Sequence, residues 1–361
     1  MSAGAAGSTA GHAGTSVGGA GPGGTGGAGS SGGGGAGQAG GAGEGGNGGG
    51  GAGLGGSAGV SGTSGQAGQG GTGEVGGQGG SGGGDEKIPG AKVRVATFNV
   101  RTGNADKGTM NSWENRKKLF FQVFKDLDAD FIGVQEAQLF QLQDIDQAAP
   151  AYDRIGHSSE PDNKGEFVSI YYRKARFEVK DKDTFWISPT PSQQSGPSFG
   201  DGYTRIVTWG RFREKDTGYQ LYMYNTHFGL SDKSAEKGAE LVIARAKARA
   251  TDHPFFVTGD LNTTEAEAPV RYLKGKAKLD GEDNPLPLVD TFRELYPNTD
   301  EVRTAHGFNG GVTGAKIDYV FVSLKNPDVT SAEIVHDHQG DQYPSDHYPV
   351  VGTVKMPDQK K

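Results

Sequence analysis

Hydrophobic and polar positions change rhythm along this chain, and the changes mark its elements. "KVRVATFNV", residues 92–100, alternates apolar and polar before turning mostly apolar, which predicts a strand with Asn99 at its end. In "NSWENRKKLFFQVFKDLDAD", Leu119, Phe120, Val123, Phe124 and Leu127 recur at helical spacing behind Ser112, a residue suited to capping. "DFIGVQEAQ" predicts a buried strand over 131–135 ending at Glu136, and "AQLFQLQDIDQAAP" a second helix stopped by Pro150. Strand texture dominates 166–226, in "EFVSIYYRK", "RFEVKDKDTFWIS", "TRIVTWGRFRE" and "YQLYMYNTH". The Pro-, Ser- and Gly-rich stretch at 189–203 interrupts it as a long exposed loop. "SDKSAEKGAELVIARAKARA" predicts a helix capped by Ser231 or Asp232. "PFFVTGDLNTTE", "AKIDYVFVS" and "HYPVVGTVKM" predict strands, with a further one near 329–336. Two β-rich halves, each opening strand–helix–strand, predict an α/β fold: a four-layer sandwich of two packed mixed sheets flanked by helices.

Composition divides the chain. Residues 1–84 hold 43 of the 65 glycines, contain no Phe, Tyr or Trp, and carry only Glu44 and Glu74 as charges. Such a stretch cannot bury enough apolar surface to offset its ordering entropy, so it is expected to be a disordered tether. Residues 85–361 contain every aromatic and suit one catalytic domain. The whole chain carries a formal charge of -7. With the two tether glutamates removed the domain retains -5, which gives no basic stripe for tracking a long polyanion.

The absence of cysteine excludes disulfides, thiolate catalysis and thiolate metal sites. No apolar run in the sequence is long enough to span a bilayer, and "MSAGAAGSTAG" lacks the charged and apolar regions of a signal peptide. A Gly/Ser/Ala/Thr arm before an enzyme-like domain is nonetheless what a surface-tethered bacterial protein would carry. The expectation is a secreted, cell-surface or periplasmic monomer, with an export or lipid-anchor signal upstream and no obligate protein partner.

Polar residues gather where the strands end: Asn99, Glu136, Asn225 with His227, Asp260 with Asn262, Asp318, and Asp346 with His347. Strand ends on one rim of a sandwich can converge, and buried carboxylates are costly unless paired or metal-bound. The donor set is hard oxygen, from Glu136, Asp260 and Asp346 with amide oxygens of Asn99 and Asn262. It suits Mg²⁺, or Mn²⁺ in its place. Alone, Asn99 or Asn225 reads equally well as a strand-end turn former. Trp113 reads as a packing residue, and Glu114 suits the dipole of its helix. Glu166, Tyr172 and Asn309 fit a pocket lining or a structural role equally well, and His306 stands out among the remaining histidines.

"FNV", "QE", "NTHF", "GDLN", "IDYVF" and "SDHYPV" occur in this order across 92–356, an arrangement that resembles the endonuclease/exonuclease/phosphatase superfamily. The resemblance implies a deoxyribonuclease-I-like fold and a metal-dependent phosphoric-ester hydrolase acting on a small molecule or a nucleic acid. It implies Glu136 as the main magnesium ligand with Asn99 beside it, and Asp346 completing the metal region. Asp260 matches the group that aligns or deprotonates the attacking water, Asn262 and His227 match phosphate contacts, and Asp318 would orient His347. The general base stays open between Asp260 and the Asp318–His347 pair.

"SWENRKK", "EFVSIYYRKARFEV", "DTFWIS" and "TRIVTWGRF" are similar to a bacterial branch near the deadenylase-like and tyrosyl-phosphodiesterase-like members. There Arg205 falls at a substrate-side position, and Asn225 and Asn309 join it as substrate-binding candidates. "NVRTGN" departs from the first-strand segment of abasic-site endonucleases, which disfavours DNA repair. The expected reaction is water attack on a phosphodiester or phosphomonoester. A secreted nuclease and a non-catalytic phosphate-binding module on the same scaffold are the competing readings.

Overall fold

The computed structural model describes residues 87–361, so the expectation for the glycine-rich arm lies outside the described residues. Twelve strands form two six-stranded sheets. In chain order they are β1 Lys92–Asn99, β2 Phe131–Ala137, β3 Tyr152–Ile155, β4 Phe167–Arg173, β5 Phe177–Trp186 and β6 Ile206–Glu214. There follow β7 Gln220–His227, β8 Phe255–Asp260, β9 Val289–Asp290, β10 Asp318–Val322, β11 Asp328–Ile334 and β12 Val350–Lys355. One sheet has the order β11-β12-β1-β2-β4-β3 and the other β9-β10-β8-β7-β6-β5.

Each sheet is antiparallel except at its centre, where β1 runs parallel to β2 and β7 parallel to β8. A parallel pair requires a crossover, supplied by helix α1, Trp113–Asp126, in the first sheet and α3, Asp232–Lys247, in the second. Helix α2, Leu139–Ala148, with the short α4, Ala268–Leu273, and α5, Thr291–Leu295, complete the helical content described below. The expected α/β four-layer sandwich is the observed one.

Period-two alternation accounts for the layers. Val93 and Val95 of β1, Leu221 and Met223 of β7, Phe256 of β8 and Val320 of β10 fill the space between the sheets. The intervening Ala96 and Phe98 pack under α1, while Phe255 and Val257 pack under α3. The same parity, continued toward the strand ends, carries polar residues into the inter-sheet space: Thr97 and Asn99 on β1, Asn225 and His227 on β7, Thr258 and Asp260 on β8.

Ser112 does precede α1, but its side chain makes no capping bond, whereas the Ser231 hydroxyl accepts from the Ser234 amide at the start of α3. β3, α4 and α5 were not expected, because four to six residues are too few to display a period.

Candidate active site

The site is built where both sheets end. β1, β2, β7 and β8 all terminate on one rim, and β10, antiparallel to β8, begins there with Asp318 opposite Asp260. Parity aims Asn99, His227, Asp260 and Asp318 between the sheets. It would aim Glu136 outward with Ile132 and Val134. Instead Glu136 adopts a left-handed backbone, φ 63°, and the β2–β4 pairing slips between Val134 and Ala137. This bulge turns the carboxylate toward the rim, a strained conformation held at a functional position.

Asn99 joins the two sheets. Its Nδ2 donates to Glu136 Oε1 and to Asp260 Oδ2, each at 2.9 Å, while its Oδ1 accepts from the Arg101 amide at 2.9 Å. Asn99 therefore holds two carboxylates in place through its Nδ2, while its Oδ1 takes one bond from the loop that follows. The Thr102 amide binds Glu136 Oε2 at 3.1 Å, and the Asn262 amide binds Asp260 Oδ1 at 2.9 Å. The Asn262 side chain donates to Phe228 O and meets His227 Nε2, both at 3.0 Å. His347 Nδ1 lies 2.9 Å from Asp318 Oδ2 and 3.8 Å from Asp260 Oδ2.

The "SDH" segment is clamped onto β1. Ser345 Oγ donates to Asn99 O at 2.7 Å. The buried Arg116 guanidinium donates to Val100 O, Arg101 O and Pro344 O within 2.8 Å, tying the loop after β1 to the residue before Ser345.

Electrostatics separate the two histidines. Burial lowers the pKa of His227 well below its ordinary value, reinforced by Arg205 and His347, so its ring is neutral. Burial also works against a His347 cation, but Asp318 and Asp260 overcome it and raise that pKa well above the usual range. Asp260 is pushed up to about 7 by burial and then by Asp318, against the opposing effects of His347, the Asn262 amide and Asn99.

Two groups of ligand atoms lie within 4.8 Å of one another: Glu136, His227 and Asp260, and Asp260, Asp318 and His347. Asp318 Oδ1 is buried without a partner. Glu136 and Asp260 beside neutral His227, and Asp260 and Asp318 beside the His347 imidazolium, gather hard oxygen donors that fit a divalent cation. Glu136 and Asp260 are the residues that would hold it.

Three other expected residues fall elsewhere. Asp346 lies outside both groups and turns to Arg101, 3.4 Å away, so it is not placed with the metal donors. Asn225 is fully buried and spends its amide on Val134 O, Ser169 O, Gln135 and Thr258, which makes it a link between the sheets and not a substrate contact. Gly133 faces it, and a Cβ there would meet Asn225 Oδ1 at 2.4 Å. Asn309 is exposed and donates to Gly307 O within its own turn. That turn is tied to the rim by the His306 and Gly307 amides, which bind Asp346 O, and by the His306 ring stacked on Tyr348. Arg205 does stand on the rim, one residue before β6.

A cationic imidazole held by an aspartate, paired carboxylates on the facing sheet ends and amides aimed at their oxygens form a phosphoester-hydrolysing centre. The description Endonuclease/Exonuclease/phosphatase family matches residues 96–347, and the chain belongs to that family. It is accordingly a phosphoric-ester hydrolase by class. Among solved structures, the endonuclease/exonuclease/phosphatase from Bacteroides vulgatus is 30% identical with TM-score 0.65, covering 74% of this chain and 99% of that one. The Bacteroides thetaiotaomicron mannosyl-6-phosphatase Bt3783 is 29% identical with TM-score 0.64, covering 73% and 100%. The human Nocturnin catalytic domain is 16% identical with TM-score 0.55, covering 75% and 96%, a likeness of fold.

Proposed function

We propose that the chain hydrolyses a phosphodiester or phosphomonoester with Mg²⁺, or Mn²⁺, by direct attack of water and without a covalent intermediate. The observation that carries this reading is the double hydrogen bond from Asn99, which sets carboxylates from both sheets within reach of one ion. When bound, the cation would neutralise charge on the phosphoryl oxygens and the leaving oxygen. Asp260, held by Asn99 and the Asn262 amide, aligns the attacking water. The His347 cation, fixed by Asp318, holds a non-bridging oxygen in constant geometry. Neutral His227, held by the Asn262 side chain at 3.0 Å, lines the phosphate side of the site without adding charge.

The Bacteroides mannosyl-6-phosphatase supports a small phosphorylated substrate, and the domain's acidic balance favours it over a nucleic acid. The reading extends to place: the glycine-rich arm suits a secreted or surface-held bacterial enzyme, which fractionation of the full-length product tests. Hydrolysis of bis-p-nitrophenyl phosphate and p-nitrophenyl phosphate tests the chemistry. Turnover is expected with Mg²⁺ or Mn²⁺, none with chelator, and a loss of about 10³-fold in Glu136→Gln. Equal turnover in chelator would exclude the metal reading, and no turnover of any phosphoester would favour a binding module.

A further inference from the structure

The strand orders place the polar residues of the rim in four successive columns, each pairing one strand from each sheet. Asp318 and His347 belong to the β10 and β12 side, Asn99 and Asp260 to β1 and β8, and Glu136 and His227 to β2 and β7. The fourth column is β4 and β6. Phe167 opens β4 opposite Ala137, and Val207, second in β6, lies opposite Thr226. The residues just before these strands, Glu166 and Arg205, thus extend the row by one strand spacing, roughly 5 Å. A phosphoryl group held in the first three columns would direct its esterified alcohol toward the fourth.

We propose that Glu166 and Arg205 form a subsite for a polyhydroxylated alcohol, so that the substrate is a sugar phosphate or a comparable polyol ester. This rests on the phosphoesterase reading above. Arg205 is only 7% exposed, yet its Nε has no hydrogen-bond partner, and its nearest carboxylate, Asp201, is 3.8 Å away. A buried guanidinium with an unused donor requires an acceptor. Glu166 is half-buried and its carboxyl makes no hydrogen bond or ion pair with the described residues. Burial, with Glu136 adding to it and Arg205 and Arg101 opposing it, pushes its pKa up to about 7.

An unpaired acceptor beside an unpaired donor matches hydroxyl groups, which donate to one and accept from the other. A second phosphate fits less well, because an ionised Glu166 would repel it.

A crevice of about 510 Å³ is lined by Ser159–Pro161, Gln194–Pro197 and Thr204, residues next to the pair through backbone and not through its side chains. Thr204 borders it directly before Arg205, and the Ser159 amide bonds to Glu166 O at 2.9 Å. That volume lies in the range of small-molecule sites.

The test compares kcat/KM for a panel of hexose and pentose phosphates with that for p-nitrophenyl phosphate, with Mg²⁺, in the wild type and in Glu166→Gln, Glu166→Ala, Arg205→Lys and Arg205→Ala. The wild type should favour at least one sugar phosphate by tenfold or more, and the four variants should cut that ratio at least tenfold, mainly through KM. Circular dichroism melts of the two near-isosteric variants separate this effect from unfolding. Equal losses on both substrates, or a panel with no preference over p-nitrophenyl phosphate, would overturn the subsite and leave the hydrolase reading standing. If the wild type turns over no phosphoester, that reading fails on its own. Calorimetric titration of the sugar phosphates then decides the subsite: binding weakened tenfold in Glu166→Gln supports it, and binding unchanged or undetectable in the wild type overturns it.

Discussion

The two ends of the same strands make different surfaces. Where β8 ends and β10 begins, Asp260 and Asp318 meet His347, and polar atoms from both sheets converge within a few ångströms. Where β8 begins and β10 ends, a larger cavity of about 870 Å³ is lined by Pro254, Leu286, Pro287, Leu324 and Pro357 with scattered Lys and Arg. Among the described residues, both clusters able to hold a cation lie at the first end and none at the second. Volume alone therefore does not locate the chemistry. Convergence of buried, mutually perturbed groups does.

The largest expected effect breaks this contrast directly. Asp260→Asn should lower kcat by 10³-fold or more, as loss of an aligned transition-state group does. Its melting temperature should stay equal or rise, since burial and repulsion from Asp318 already disfavour that carboxylate. Leu286→Ala and Leu324→Ala at the other end should leave kcat/KM within about twofold. A Leu324→Ala loss as large as that of Asp260→Asn, measured at full folding by circular dichroism, would erase the distinction between the rims.

The next effect lies beneath the site. Asn225→Ala strips partners from Gln135, Thr258 and the carbonyls of Val134 and Ser169, all buried between the sheets. Gln135 and Thr258 keep Thr97 and Tyr224 as partners, so the cost falls on the two carbonyls, and at about 1–3 kcal/mol each the variant should lose roughly 2–6 kcal/mol in denaturant unfolding. Its KM for p-nitrophenyl phosphate should stay within threefold. A tenfold rise in KM at native stability would return Asn225 to the substrate.

The smallest effect is a pH slope. His306 is buried and stacked on Tyr348 at 4.0 Å, with Nε2 unpartnered, and burial pushes its pKa down to about 3. An unfolded histidine titrates near 6.5, so its contribution to stability is whole above that pH and declines as pH falls toward 3. Between pH 7 and 5 the loss should be about 2 kcal/mol, and His306→Phe should remove it from the unfolding free energy. An unchanged slope would exclude His306 as its source.

Much of this contrast could be read from residue order. Asn99, His227, Asp260 and Asp318 are strand-end polar residues whose parity continues that of the apolar core, so alternation alone aims them inward. Glu136 was legible as a strand-end acid, but its direction was not, because a bulge with φ 63° reverses the parity. Asn225 obeys the same parity as His227. Only the neighbouring β2 and β4, which surround its amide, separate a sheet link from a site residue. Asp346 reads as a ligand beside His347 in the sequence, whereas its carboxylate lies 3.4 Å from Arg101 and outside both candidate groups. Glu166 and Arg205 were named individually, while their shared column depends on strand order, which no local pattern encodes.

Paramagnetic broadening of histidine ring resonances by substoichiometric Mn²⁺ tests the central claim most directly, with His227, His347 and His253 assigned through single variants. His227 and His347 belong to the two candidate ligand groups, and His253 lines the cavity at the other end. The account predicts that His227 and His347 broaden first while His253 stays sharp, and that Glu136→Gln weakens the effect. Broadening of His253 first, or of none of them at millimolar Mn²⁺, would contradict it.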